Sequence, residues 1–243
     1  MLNPIALIAS GCLPKLPAIE DVLVLPSDGP WTLLALALTD TDAERYADIS
    51  QQDATWLSRA LARQHSALAE ISVSVTVYPL QFGLIVPKTE ETLNAARQHH
   101  EELLRYFSLV AGASEWGLKA VLTESANEPS AETTGMSGLA WLKAKQSEPE
   151  RRRLRMESAL LRINEAVVPL LKQARAHTEV HRQAVIPNQH QQLLNLAVLV
   201  ENIYSTAFLQ DFELARAALS AEGIALNCSG PWPPYSFRPR LSE

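Results

Sequence analysis

The side chains of this chain that could do chemistry are six histidines, two cysteines and a scatter of carboxylates, and spacing decides what they could do together. His99-His100-Glu101-Glu102 is the most metal-like cluster. A structural zinc needs ligands converging on one point, whereas adjacent helical residues point about 100° apart, so the two histidines do not easily face one ion. The cluster reads as structural or solvent-facing. His177 and His181 stand four apart, a ligand pair on a helix, but a strand is predicted from Val180 and no third ligand follows. Cys12 and Cys228 lie far apart without a CxxC pattern, which indicates neither a zinc site nor a disulfide framework. They read as buried or half-buried thiols. The nine glycines are scattered, with no GxGxxG or GxxxxGK[ST] to cradle a phosphate. No nucleophile stands in register with a base. The expectation is a chain without catalytic residues, cofactor or metal.

Composition bounds the scaffold. With 243 residues, against a usual domain of roughly 100 to 150, two domains are expected. The 47% of hydrophobic and 20% of charged residues are those of a folded chain with ample core material. A net charge of -6 and a pI near 5.6 repel a phosphate backbone, so nucleic acid is not an expected partner. Arg151-Arg152-Arg153, the one dense basic cluster, lies beside Glu148 and Glu150 and reads as a solvated helix face. No apolar run reaches about 18 residues, so no membrane span is expected. Met1-Leu2-Asn3-Pro4 carries no positive charge ahead of its apolar run, unlike a secretory leader. A cytoplasmic location is the expectation.

Ile5–Ala9 and Asp21–Leu25 are short apolar runs stopped by Ser10-Gly11 and by Pro26 to Pro30, and both read as strands. Trp31–Leu38 reads as a buried strand, and Asp40–Asp53 as a polar, cap-rich stretch. Leu57, Ala60, Leu61, Gln64 and Leu68 recur at helical spacing within Ala54–Ile71, with Trp56 at the stripe's edge. Val73, Val75 and Val77 alternate with polar residues and predict a strand running into Pro79. Thr89–Val110 is a second helix, with Glu90 and Glu91 in its first turn and an end near Gly112.

Glu115–Leu122 reads as a strand and Glu124–Gly138 as an exposed linker. Met156, Leu160, Ile163, Val167, Leu171 and Ala174 predict a long helix over Glu150–Ala176, bent at Pro169. Val180–Ile186 and Leu193–Val200 read as strands around a turn at Pro187 to His190, Thr206–Glu222 as a helix closed by Gly223, and Ile224–Cys228 as a last strand. The order strand, helix, strand, strand, helix, strand is the ferredoxin-like split arrangement. The fold class is therefore α+β in two domains: an α/β domain over residues 1–112, a ferredoxin-like domain with a long helix over 113–228, and a proline- and aromatic-rich tail over 229–243.

Three stretches are left over. Tyr78-Pro79-Leu80-Gln81-Phe82-Gly83 interrupts a strand pattern with proline and closes it with glycine, the mark of an edge strand, bulge or tight exit. Glu115 and Lys119 share one strand face with Gly117 between them and Trp116 opposite. The tail Ser229–Arg240 has four prolines, so it must run extended, and Trp232, Tyr235 and Phe237 must either cap the chain's own surface or meet a partner.

Gly230-Pro231-Trp232-Pro233-Pro234-Tyr235-Ser236-Phe237 closely resembles the closing motif of the gas vesicle protein F/L family. Trp56-Leu57 with His65 resembles that family's tryptophan-leucine helix and its later histidine. Pro79-Leu80-Gln81-Phe82-Gly83 resembles its Pro-Leu-Arg-Phe-Gly turn with glutamine in place of arginine. Glu115-Trp116-Gly117-Leu118-Lys119 resembles its Glu-Trp-Gly-Val-Lys strand, and Gly138 to Lys143 the entry to its long helix, with Trp141 in place of tyrosine. The match runs over roughly residues 50–240. The resemblance implies an α/β domain followed by a ferredoxin-like one, no catalysis, and an accessory role in gas vesicle assembly. In that role the chain binds the small apolar shell protein as chaperone, nucleation factor or minor shell component. Other gas vesicle accessory proteins are the alternative partners, and a small-molecule-binding ferredoxin-like protein the alternative class. The surface expected to meet the partner is Trp31, Leu34 and Leu36 together with Tyr78, Leu80, Phe82 and Leu84.

Overall fold

The computed structural model describes residues 1–25, 27–83, 89–123, 138–180 and 192–241. They form two compact units, Met1–Glu115 with Pro231–Glu243, and Trp116–Gly230.

The first unit is built on β1 (Leu2–Ala9), β2 (Val22–Leu25), β3 (Trp31–Ala37) and the two-residue β4 (Tyr78–Pro79). The sheet order is β2-β3-β1-β4, every neighbour antiparallel, with Leu2 opposite Ala37 and Ala9 opposite Trp31. β3 is apolar at nearly every position because both of its faces are covered. Leu34 and Leu36 meet Ala67, Leu68 and Ile71 of helix α2 (Ala54–Ser74), while Trp31 stacks on Phe107 at 5.1 Å. Pro79 lies on the edge strand, where its missing N–H costs the ladder nothing.

Several elements depart from the expected pattern. Helix α1 (Asp40–Ala47) occupies the polar stretch, because the Thr39 hydroxyl accepts the Asp42 N–H at 3.1 Å and Ala43 and Tyr46 give it one buried stripe. α2 runs on through Val73, which is 86% exposed, so the valine alternation does not make a strand. Val75 and Val77 still turn inward, into the core. The buried face of α2 is Trp56, Gln64, Ala67, Leu68 and Ile71, which leaves Leu61 47% exposed. The helix expected over Thr89–Val110 is two, α3 (Thr89–Gln98) and α4 (His100–Val110), hinged at His99.

The second unit follows the order β5 (Ala113–Leu122), α5 (Gly138–Gln173), β6 (Ala176–Glu179), β7 (Gln192–Glu201), α6 (Ser205–Ala221) and β8 (Ile224–Trp232). Its sheet order, β6-β7-β5-β8, is that of the ferredoxin-like split arrangement. Both helices lie on one face: Ile163, Val167 and Leu170 of α5 and Phe208, Phe212 and Leu219 of α6 share one core with Trp116, Leu118, Val198 and Leu226. α5 has 36 residues, about 54 Å at 1.5 Å per residue, and carries both Pro149 and Pro169 inside it. The strand expected at Val180–Ile186 sits earlier, at Ala176–Glu179, and residues 181–186 lie outside the described residues, as do the expected turn at Pro187 to His190 and the linker up to residue 137. β8 extends the expected last strand through Pro231, on the sheet edge.

Gly117 stands close to β8 in this sheet. A Cβ there would stand 2.8 Å from the Ser229 hydroxyl on β8. Gly83 is favoured by its φ of +91°, and a Cβ there would also push aside the tip of the Ile49 side chain, 2.5 Å away.

Candidate functional site

Three of the left-over motifs come together in the first unit. Asp53 caps α2 by accepting the Trp56 N–H at 2.9 Å, and that bond holds its carboxyl below the usual carboxylate range. The helix then presents Trp56 to Tyr46, edge to face at 5.2 Å, and Tyr46 to Phe82 at 5.5 Å. Two turns further on, Gln64 donates to the Leu80 carbonyl at 3.4 Å and accepts from the buried Asn3 amide at 3.3 Å. These contacts fix the Leu80 to Gly83 turn against α2.

The closing segment completes the site. Trp232 lies against His65 with ring centroids 4.8 Å apart, and the Tyr235 hydroxyl is 3.1 Å from His65 Nδ1. Burial pushes the Tyr235 hydroxyl up to about 12, so it keeps its proton. Glu115 is 6% exposed and accepts two hydrogen bonds from Ser236, from the backbone N–H at 2.8 Å and the hydroxyl at 2.7 Å. Burial raises its carboxyl above the usual range, and the two Ser236 bonds pull the other way. The Tyr106 hydroxyl donates to Val77 and Pro234 carbonyls, Tyr78 to the Pro239 carbonyl at 2.6 Å, and Arg238 to the Pro79 carbonyl at 3.1 Å. The tail's aromatics fold back on the unit that begins the chain.

Between α2, the turn and this tail lies a cleft of about 410 Å³, lined by Leu61, Ala62, Gln64, His65, Leu80, Gln81, Phe82, Tyr235 and Arg238. A broader cleft of about 1310 Å³ shares Leu80, Gln81, Tyr235 and Arg238 and continues along Glu91, Asn94 and Arg240.

The other predicted residues are placed as follows. Trp31, Leu34, Leu36, Tyr78 and Leu80 are between 0% and 7% exposed, because they close the sheet's own core. A partner reaches the first four only if the unit opens. Phe82 is half-buried at the cleft, and Leu84 lies outside the described residues. His100 packs on Trp31 at 5.5 Å while His99 turns to Glu102 at 3.3 Å, so the adjacent histidines diverge. His177 is on β6, and His181 lies outside the described residues. No three His, Cys, Asp or Glu side chains converge to hold a metal among the described residues. No described helix is long and apolar enough to cross a membrane. Arg238 and Tyr106 escaped sequence reasoning, and Ser236 was read only as part of the closing motif: a single cation or hydroxyl in a proline-rich tail carries no spacing signal, and Tyr106 was one of several apolar positions on a helix.

Fold and site define a two-domain α+β protein, an α/β half followed by a ferredoxin-like half, whose distinctive residues build a cleft and a stitched closing segment. Residues 20–239 match the family model described as gas vesicle synthesis protein GvpL/GvpF, and the chain belongs to that family. A curated relative, gas vesicle protein L of Streptomyces sp. (strain CB03234), is 28% identical over 204 residues, 76% of this chain and 71% of the relative. Two crystal structures share the fold. The gas vesicle protein GvpF from Anabaena sp. PCC7120 has a TM-score of 0.64 at 20% identity, covering 97% of this chain and 94% of that one. GvpF from Microcystis aeruginosa has a TM-score of 0.61 at 16% identity, covering 97% and 98%. The family is one of gas vesicle structural or accessory proteins and is not a known enzyme family.

Proposed function

We propose that this chain assists gas vesicle assembly in the cytoplasm by binding the small apolar primary shell protein, as a chaperone, nucleation factor or minor shell component. A subunit with one strongly apolar face aggregates unless a partner covers that face until it joins the growing wall. Such a partner needs an apolar surface with a polar rim. The observation that carries this reading is the convergence of the α2 motif, the Leu80–Gly83 turn and the closing motif on one cleft of the first unit, with Leu61 and Phe82 presented at it. Residues so far apart in sequence have no local reason to be distinctive together. The binding surface is accordingly the cleft, with Leu80 and Phe82 retained from the expected set.

Co-purification of the tagged chain with co-expressed shell protein, run beside a deletion strain scored for buoyancy, tests the reading. Binding together with loss of vesicles is the expected result. Loss of vesicles without binding moves the chain to an adaptor between other accessory proteins, and intact buoyancy with no binding overturns both.

A further inference from the structure

The cleft of the first unit sets an apolar wall beside a cation that has no carboxylate partner among the described residues. Leu61 is 47% exposed at the rim, Leu80 and Phe82 continue the apolar lining, and His65 and Gln81 add polar groups. An exposed leucine is ordinary alone, but an apolar concavity with a few convergent polar groups is the form of a binding site. Arg238 donates one guanidinium N–H to the Pro79 carbonyl, and the rest of its fork has no protein acceptor among the described residues. A guanidinium takes a carboxylate by two parallel hydrogen bonds, a geometry no neutral amide reproduces. No described carboxylate lines this cleft, and Glu91 lines the broader one.

We propose that this cleft docks a segment of a partner protein carrying a bulky apolar side chain next to an acidic one. The apolar group lies against Leu61, Leu80 and Phe82, and the carboxylate lies on Arg238. The occupant is a stretch of polypeptide because the cleft shares Leu80, Gln81 and Arg238 with the broader one of about 1310 Å³, more space than a small molecule usually fills. It is an internal stretch because Pro239, Arg240 and Leu241 line the broader cleft as well as Arg238, which leaves room for chain beyond the carboxylate. The proposal rests on the reading that the first unit holds a protein partner, and it names the chemistry of that contact.

The test is a titration of the full chain, followed by amide NMR shifts, with acetyl-Ala-Leu-Glu-Leu-Ala-amide. Two further peptides serve as controls, the same sequence with glutamine for glutamate, and acetyl-Ala-Leu-Leu with a terminal carboxylate. Saturable shifts along the cleft are expected with the first peptide, and binding at least about tenfold weaker with the glutamine form. Arg238→Gln and Leu61→Glu should each weaken the first peptide about tenfold or more. Leu61→Glu keeps the test sound if Arg238→Gln loosens the tail, since its side chain is half in solvent. The proposal is overturned by no saturable shift up to about 5 mM, by equal affinity for the glutamate and glutamine forms, by indifference to Leu61→Glu, or by preference for the terminal carboxylate. The titration contains no shell protein, so its failure removes the cleft chemistry and leaves shell binding to its own co-purification test.

Discussion

The core of the second unit, from Trp116 to Leu226, contains no buried polar residue among those described, whereas the first unit buries Asn3, Thr32, Gln64 and Glu115. The apolar core tolerates a range of shapes so long as volume is kept. The polar groups do not, because each must meet a particular partner or leave an uncompensated donor or acceptor. Three of the four hold pieces of the candidate site: Asn3 and Gln64 tie α2 to the Leu80 carbonyl, and Glu115 ties the chain to Ser236 in the tail. The contrast separates a unit whose core is held by apolar packing from one whose core also depends on particular polar contacts.

The sharpest break of this comparison is Phe208→Ala. Phe208 is fully buried in α6, and its loss should cost about 3–5 kcal/mol. Hydrogen exchange should show that cost in β7 and α6 while the Trp232–His65 contact survives. Equal loss of protection in both units would mean they are not energetically distinct.

Glu115→Ala is the counterpart in the first unit. It removes the acceptor of the Ser236 N–H and hydroxyl; Ser236 is exposed, so water can take its place, and the cost should be about 0.5–1.5 kcal/mol by urea unfolding. Amides of residues 232–238 should lose protection first. If they do not, the aromatic contacts to His65 hold the tail without the carboxylate.

The smallest effect is a pH slope. Burial raises the Glu115 carboxyl, so the folded state keeps its proton to higher pH than the unfolded chain does. This contribution is fully present below the unfolded value of 4.5, falls as pH rises through the raised folded value, and is constant above it. Glu115→Gln should flatten the part of the stability profile that falls as pH rises above 4.5. An unchanged slope assigns it to other groups.

Much of the fold was legible because it follows from local pattern. The apolar run at Trp31–Leu38 is a strand buried on both faces, and the strand and helix order of the second half reproduces the split sheet of β5 to β8. Elements whose signal is weak or double were misread. Helix α1 is mostly polar and stands on its Thr39 cap, and Val73 to Val77 fit a strand as well as the end of α2. The motifs carrying the site were visible, but their arrangement was not, and Trp31, Leu34 and Leu36, offered as partner-binding residues, are buried.

By itself the sequence determined the periodicities, caps, turns and motif residues, since each depends on neighbours within a few positions of the chain. The tertiary structure alone decided which faces were buried, that Leu61 stands exposed beside Phe82, that Ser236 bonds to Glu115 across 121 positions, and that Arg238 shares a cleft with His65. Contacts between residues far apart in the chain leave no spacing to read, because side chains meet there through the packing of whole elements.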